Sequence, residues 1–147
     1  MTIDIRRTMR ADADGLLELY RAAGDSGGLA RRRDEVEARH IGYYLDNSLD
    51  GGISVVAVDG GRIVGELHGW PMEPAQFAHV MSDITIAVHP DTQGQGVGRR
   101  LFAAFIADIR RDLPRIRRLE LGCRESNARA IRLYHAVGFE TEGRLKN

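Results

Sequence analysis

Apolar and polar positions alternate at the start of the chain, where Ile3 and Ile5 share one side of a strand predicted over residues 2–9. Behind the carboxylates of Asp12 and Asp14, Leu16, Leu17, Leu19 and Tyr20 recur at helical spacing and predict a short amphipathic helix. Gly24-Asp25-Ser26-Gly27-Gly28 breaks the pattern as a loop, and residues 31–45 read as a second helix with Val36, His40, Ile41 and Tyr44 along one stripe. Its opening run, Arg31-Arg32-Arg33-Asp34-Glu35, reads as a solvated helix start. From Ile53 the period shortens to two. Residues 53–58 and 63–70 form a predicted hairpin around Asp59-Gly60-Gly61, and residues 82–88 a further strand. Leu101, Phe102, Phe105, Ile106 and Ile109 predict a helix over about 98–112, closed by Pro114. A strand over 118–123, a helix over 127–137 with Gly138 past its end, and a strand over 139–145 complete the pattern.

That order predicts an α/β fold: a three-layer α/β/α arrangement with a central mixed sheet and helices on both faces. At 147 residues it reads as one domain spanning the whole chain, with no linker or internal repeat. Twenty-one basic residues balance 21 acidic ones, which argues against a nucleic-acid or anionic-membrane partner. No apolar run approaches the ~20 residues of a membrane helix, and the first residues lack the apolar stretch of a signal peptide. One cysteine, Cys123, makes no internal disulfide and is too few for a zinc site, so the chain reads as cytoplasmic and metal-free. On a predicted strand, Cys123 reads as a small core residue ahead of an acyl-carrying nucleophile.

Glycine is over-represented, 17 residues of 147, and three of them fall together. A strand ends at Val88, and Gly94, Gly96 and Gly98 follow before a helix begins. Glycines let successive backbone N–H groups converge, and a helix N-terminus adds about half a positive charge, so this turn predicts a phosphate or pyrophosphate site. The spacing is neither the Gly-x-Gly-x-x-Gly of dinucleotide folds nor a Gly-Lys-Ser/Thr nucleotide loop.

These residues resemble the GNAT family of N-acetyltransferases. Gln93-x-x-Gly96-x-Gly98 after a strand is similar to that family's acetyl-CoA signature. Asn127-Ala128-x-Ala130-x-x-Leu133-Tyr134-x-x-x-Gly138-Phe139 is similar to its later motif. The resemblance runs from Ile3 onward and is sharpest over residues 82–139. It implies an acetyl-CoA-dependent N-acetyltransferase acting on a primary amine, small molecule or peptide, by direct attack in a ternary complex. Ile86, Ala87 and Val88 would hold the pantetheine arm and thioester through their backbone. Gln93, Gly94, Gln95, Gly96, Val97, Gly98 and Arg99 would hold the diphosphate, and Asn127 would contact the pantetheine. Tyr134 would stand near the thioester sulfur as the acid, with aromatic anchoring as its plainer alternative.

For the base, Asp83 is the first candidate, with a simple solvent-facing strand start as the equal alternative. Glu66 and His68 share one face of their strand and are further candidates, as is water alone. His40, His79, His89 and His135 show no metal spacing. Trp70 lines the acceptor pocket or packs at an edge. Substrate contacts are expected from residues 24–29 and 71–81, with Asp25, Glu73 and Asp83 as weak pointers to a cationic amine. The family usually ends in a hairpin of two strands and this chain stops after the first, so the fold is expected to lack the last strand and to pair its open edge in a homodimer. A non-catalytic acyl-CoA sensor and a nucleotide-binding module are the competing readings.

Overall fold

The computed structural model describes residues 2–25 and 29–146. Its center is a five-stranded sheet with strands in chain order: β1 (Ile3–Arg7), β2 (Ile53–Asp59), β3 (Arg62–Pro71), β4 (Val80–Val88) and β5 (Arg118–Leu119). The first four pair antiparallel, and β5 joins β4 in parallel, which makes the sheet mixed. Helices α1 (Ala13–Gly24) and α2 (Ala38–Leu49) cover one face. Helix α3 (Val97–Asp112) covers the other, with α4 (Ala128–Ala136) beside it. The expected three layers are present.

Two apolar cores follow from the two covered faces. Phe102, Phe105 and Leu101 of α3 press against Ile53, Val55 and Leu67. On the opposite face Leu16, Leu19 and Tyr20 of α1 and Ile41 and Leu45 of α2 meet Val56, Ile63 and Ala87. Alternation along β2 sends Val55 and Val56 to opposite cores, which is why this strand is apolar at every position from Val55 to Val58.

Three predicted elements differ. The second helix begins at Ala38, not Arg31. Arg33–Glu35 forms a single 3₁₀ turn, and the extended backbone at Val36 and Glu37 then drops the Val36 side chain into the core against α1. The strand expected over 118–123 shrinks to Arg118–Leu119 because β4 and β5 part after that point. Residues 139–145 form no strand. A strand needs a neighbor for its backbone groups, and the adjacent β5 edge offers two residues. This segment is held by side chains instead: the Phe139 ring meets Phe102 at 5.7 Å, Glu142 pairs with Arg118, and Arg144 pairs with Glu125.

Candidate active site

The parting of β4 and β5 opens the main cleft. The two strands pair only at Val80–Arg118 and Met81–Leu119, and a last Glu120 N–H bond to the Met81 carbonyl follows at 2.8 Å. Past it, β4 runs on to Val88 while the chain after β5 turns away toward α4. On the other side, His89 N–H donates to the Val64 carbonyl at 2.8 Å. Backbone groups alternate direction along a strand, so the amides of Ile86 and Val88 face the cleft. The cleft holds about 710 Å³ between this open edge, the glycine turn and α4.

At the turn, Gly94 and Gly96 have φ of +80° and +78°, a left-handed conformation that costs an L-residue about 1–2 kcal/mol. Gly96 caps α3, and the first-turn N–H groups of Val97, Gly98 and Arg99 lack intrahelical acceptors and border the cleft. This is an anion cradle made of main chain. Gly98 has a different reason to be glycine: a Cβ there would stand 2.8 Å from Leu133 Cδ2, so its absence lets α4 lie close to α3. Of the expected cofactor residues, Ile86, Ala87, Val88, Gln93, Gly94, Gly96, Val97, Gly98, Arg99 and Asn127 all line this cleft. Gln95 does not; it is exposed, and its amide reaches back to the Asp91 carbonyl at 3.5 Å. Asn127 lines the cleft and caps α4 through Oδ1, which accepts from the Ala130 N–H at 3.2 Å. Sequence reasoning missed Arg124, Arg129 and Arg132, which join Arg99 around the rim. The one signal available was the spacing of three between Arg129 and Arg132, which puts both on one face of α4.

Tyr134 stands where this cleft meets a second cavity of about 320 Å³, and Ile86 also lines both. Its ring is wedged against Phe102 and Phe139, each at 6.0 Å, so the anchoring role is real. Its hydroxyl makes no hydrogen bond among the described residues. Burial first, then the nearby Cys123, pushes its pKa up to about 12, so the phenol stays protonated near neutrality. Cys123 itself is exposed, which corrects the expected core position.

The second cavity is walled by Tyr20, Val36, His40 and Tyr44 on the helix side and by Asp83 and Thr85 of β4. Arg31 enters it as well, with Nη1 donating to Tyr44 Oη at 3.0 Å. His40 accepts the Glu37 N–H at Nδ1, 3.0 Å away, and its pKa lies below the ordinary value, through desolvation first and then the charge of Arg31. His40 and Tyr44 were read only as one stripe of a helix, and their convergence with Tyr20 of α1 and with Arg31 went unread because it depends on how separate elements pack.

Asp83 is exposed and has a φ of +54°, the one non-glycine positive φ among the described residues. Register explains it: His68 pairs with Thr85 and Trp70 with Ser82, so Asp83 and Ile84 together oppose Gly69 in a β-bulge. A Cβ on Gly69 would meet Met81 Sδ at 2.7 Å, so the bulge and the glycine fit each other. Of the other base candidates, Glu66 and His68 are 2% and 1% exposed and line neither cavity. The Glu66 carboxylate accepts from Tyr20 Oη at 2.5 Å, Ser54 Oγ at 2.6 Å and His68 Nδ1 at 2.8 Å. Thr8 meets Ser54 at 2.6 Å and completes the network. These bonds fix Tyr20 in the cavity wall, and burial beside Glu66 drives its pKa well above the ordinary tyrosine value.

Trp70 is edge packing, stacked on His68 at 5.7 Å and met by Tyr43, and lines neither cavity. Of the expected acceptor segments, Leu29 borders both cavities, Ser26, Gly27 and Gly28 lie outside the described residues, and residues 71–81 contribute no lining. Asp25 is taken by Arg33 at 3.2 Å. Among the described residues, no group of three or more His, Cys, Asp or Glu side chains is placed to hold a metal ion.

Comparison with known proteins decides the family. The model of the Acetyltransferase (GNAT) family matches residues 15–139. The chain belongs to the GNAT acetyltransferases. An L-methionine sulfoximine/L-methionine sulfone acetyltransferase of Salmonella typhimurium is 25% identical over 96% of this chain and 82% of its own. Among solved structures, a ribosomal-protein-alanine N-acetyltransferase from Brucella melitensis is 30% identical with a TM-score of 0.81, covering 95% of this chain and 86% of that one. An acetyltransferase from Salmonella typhimurium, solved with its cofactor acetyl-CoA, is 25% identical with a TM-score of 0.81, covering 97% and 82%. This GNAT chain is therefore an acetyl-CoA-dependent N-acetyltransferase.

Proposed function

We propose that the protein moves the acetyl group of acetyl-CoA to a primary amine by direct attack, with both substrates bound at once. The observation that carries this is the position of Tyr134 and Ile86 on the shared boundary of the two cavities. A diphosphate on the amides of residues 94–99 would let the pantetheine run along the open edge of β4 past Asn127. Its thioester then reaches Tyr134, where the smaller cavity delivers the amine.

The amine must attack as a free base. A lysine-like amine of pKa about 10.4 is roughly one part in 2,500 neutral at pH 7, a handicap near 4.6 kcal/mol. Asp83, which lines the small cavity from β4, would attract the ammonium and take its proton directly or through water. Glu66 and His68 support the wall from behind it. As nitrogen bonds to the carbonyl carbon, the oxygen gains charge, and the cleft-facing Val88 amide would be the main-chain donor to it. The C–S bond then breaks. Proton transfer from a phenol of pKa about 12 to a thiolate of pKa about 8.5 runs uphill. Tyr134 therefore works as a fixed hydrogen-bond donor to the departing sulfur, and the proton lost by the amine ends on the thiol.

Thiol release from acetyl-CoA over an amine panel tests this. Tyr134→Phe is expected to lower kcat tenfold or more with CoA affinity unchanged. An unchanged kcat would remove Tyr134 from the reaction.

The same reading keeps the protein in the cytoplasm and as a homodimer. In its favor are Leu145, 97% exposed, and residues 140–146, which pair with no strand among the described residues and follow beside the short β5 edge. Light scattering is expected to give twice the chain mass, and a monomer at high concentration would contradict it.

A further inference from the structure

We propose that the small cavity selects amines that carry a carboxylate in the same small molecule, and that Arg31 is the residue that reads it. The inference rests on the acetyl-transfer reading above and adds the charge of the acceptor.

Four arginines stand between positions 31 and 39, and three have carboxylate partners: Arg32 with Glu35 at 3.0 Å, Arg33 with Asp25 at 3.2 Å, and Arg39 with Glu37 at 2.8 Å. Arg31 has none within 4.0 Å among the described residues. Its hydrogen bond there is the one from Nη1 to the neutral Tyr44 hydroxyl, which steadies the group without neutralizing it. A guanidinium has five N–H donors in a planar fork that matches a carboxylate, so most of its capacity is unspent. It is half-buried in the cavity wall, where a charge-assisted pair is screened less than at the surface. The chain's formal charge is zero, so an unpaired cation here is not the overflow of a basic protein.

The rest of the cavity agrees in sign. His40 beside Arg31 has a lowered pKa and adds no second positive charge near neutrality. Asp83 lines the same cavity from β4, the strand that also carries Ile86 to the boundary with the cofactor cleft. The walls thus offer a cation on the helix side and a carboxylate on the strand side. A zwitterion fits that polarity with its amine toward Ile86 and Tyr134 and its carboxylate on Arg31. A peptide N-terminus has an amide carbonyl where the free acid would be and leaves Arg31 unmatched.

The test compares α-amino acids with their own amides, which keep the side chain and lose the charge, in thiol release at saturating acetyl-CoA. The expected kcat/KM ratio of acid to amide is ten or more, carried by KM. Arg31→Gln is expected to bring the ratio near one, and Arg31→Lys to restore part of it. Arg39→Gln removes a neighboring surface charge that lines neither cavity, and is expected to leave the ratio as it was. Calorimetric titration of the acids into CoA-loaded protein gives a readout apart from turnover, with Kd expected to rise at least tenfold in Arg31→Gln. A wild-type ratio of one or below, or an equal loss for acid and amide in Arg31→Gln, overturns the inference and leaves acetyl transfer standing. Release from no amine at all, with acetyl-CoA bound, overturns both.

Discussion

Tyr134 shows how one residue serves two ends. Its ring is locked by Phe102 and Phe139 while its hydroxyl, at the junction of the cavities, has no hydrogen-bond partner among the described residues. Rigidity in the ring is what makes the position of the oxygen dependable. Its raised pKa has a consequence for pH. A phenol whose folded pKa is about 12 binds its proton more tightly than an unfolded tyrosine near 10, so its contribution to stability is whole below pH 10 and is lost as pH climbs from there toward 12. Across the ordinary assay range it does not titrate. The kcat/KM profile for an amine acceptor is expected to rise with pH through at least pH 9, following the amine, and Tyr134→Phe to lower the curve without changing its shape. An alkaline fall near pH 8–9 that disappears in Tyr134→Phe would show the phenol ionizing where this account keeps it neutral. Tyr134, Asn127 and the glycines were legible in the sequence because they belong to short motifs. The burial of Glu66 and His68, the exposure of Cys123 and the unpaired state of Arg31 were not, because each depends on what a distant element brings to it.

At the scale of elements, the site is made by a strand, a 3₁₀ turn over Pro90–Thr92, two left-handed glycines and the helix that starts after them. Gly96→Ala is expected to cost about 1–2 kcal/mol for the wrong-handed backbone. On a domain of this size that is a melting temperature lower by roughly 3–8 °C. The affinity for acetyl-CoA is expected to drop about tenfold as the amides of the turn lose their aim. Nothing lies within 4 Å of a Cβ built on Gly96, so the penalty is conformational. Gly42, inside α2 with equally open space, provides the control: Gly42→Ala is expected to gain about 0.5–1 kcal/mol. Thermal melts and acetyl-CoA titrations of the two variants check this, and equal behavior would contradict it. Strand, turn and helix were readable here because hydrophobic period and glycine spacing are local signals. The bulge at Asp83 and Ile84 was invisible, since a bulge is a mismatch between two strands and neither carries it alone. The failed strand over 139–145 has the same origin: alternation predicts a strand's pattern but not the presence of a partner for its backbone.

Over the whole molecule, the two cores and the two cavities share one design. The larger cleft, proposed for the donor, and the smaller cavity, proposed for the acceptor, are both bordered by β4, which carries side chains of both cores. Transfer across that strand is the claim on which the mechanism depends. A crystal structure with CoA and an acceptor amine tests it most directly. The account predicts the diphosphate on the main-chain amides of residues 94–99, the sulfur within hydrogen-bond reach of Tyr134 Oη, and the amine entering from the cavity of Tyr20, Tyr44 and Asp83. A sulfur remote from Tyr134, or an amine arriving from the donor's own side of β4, would contradict it.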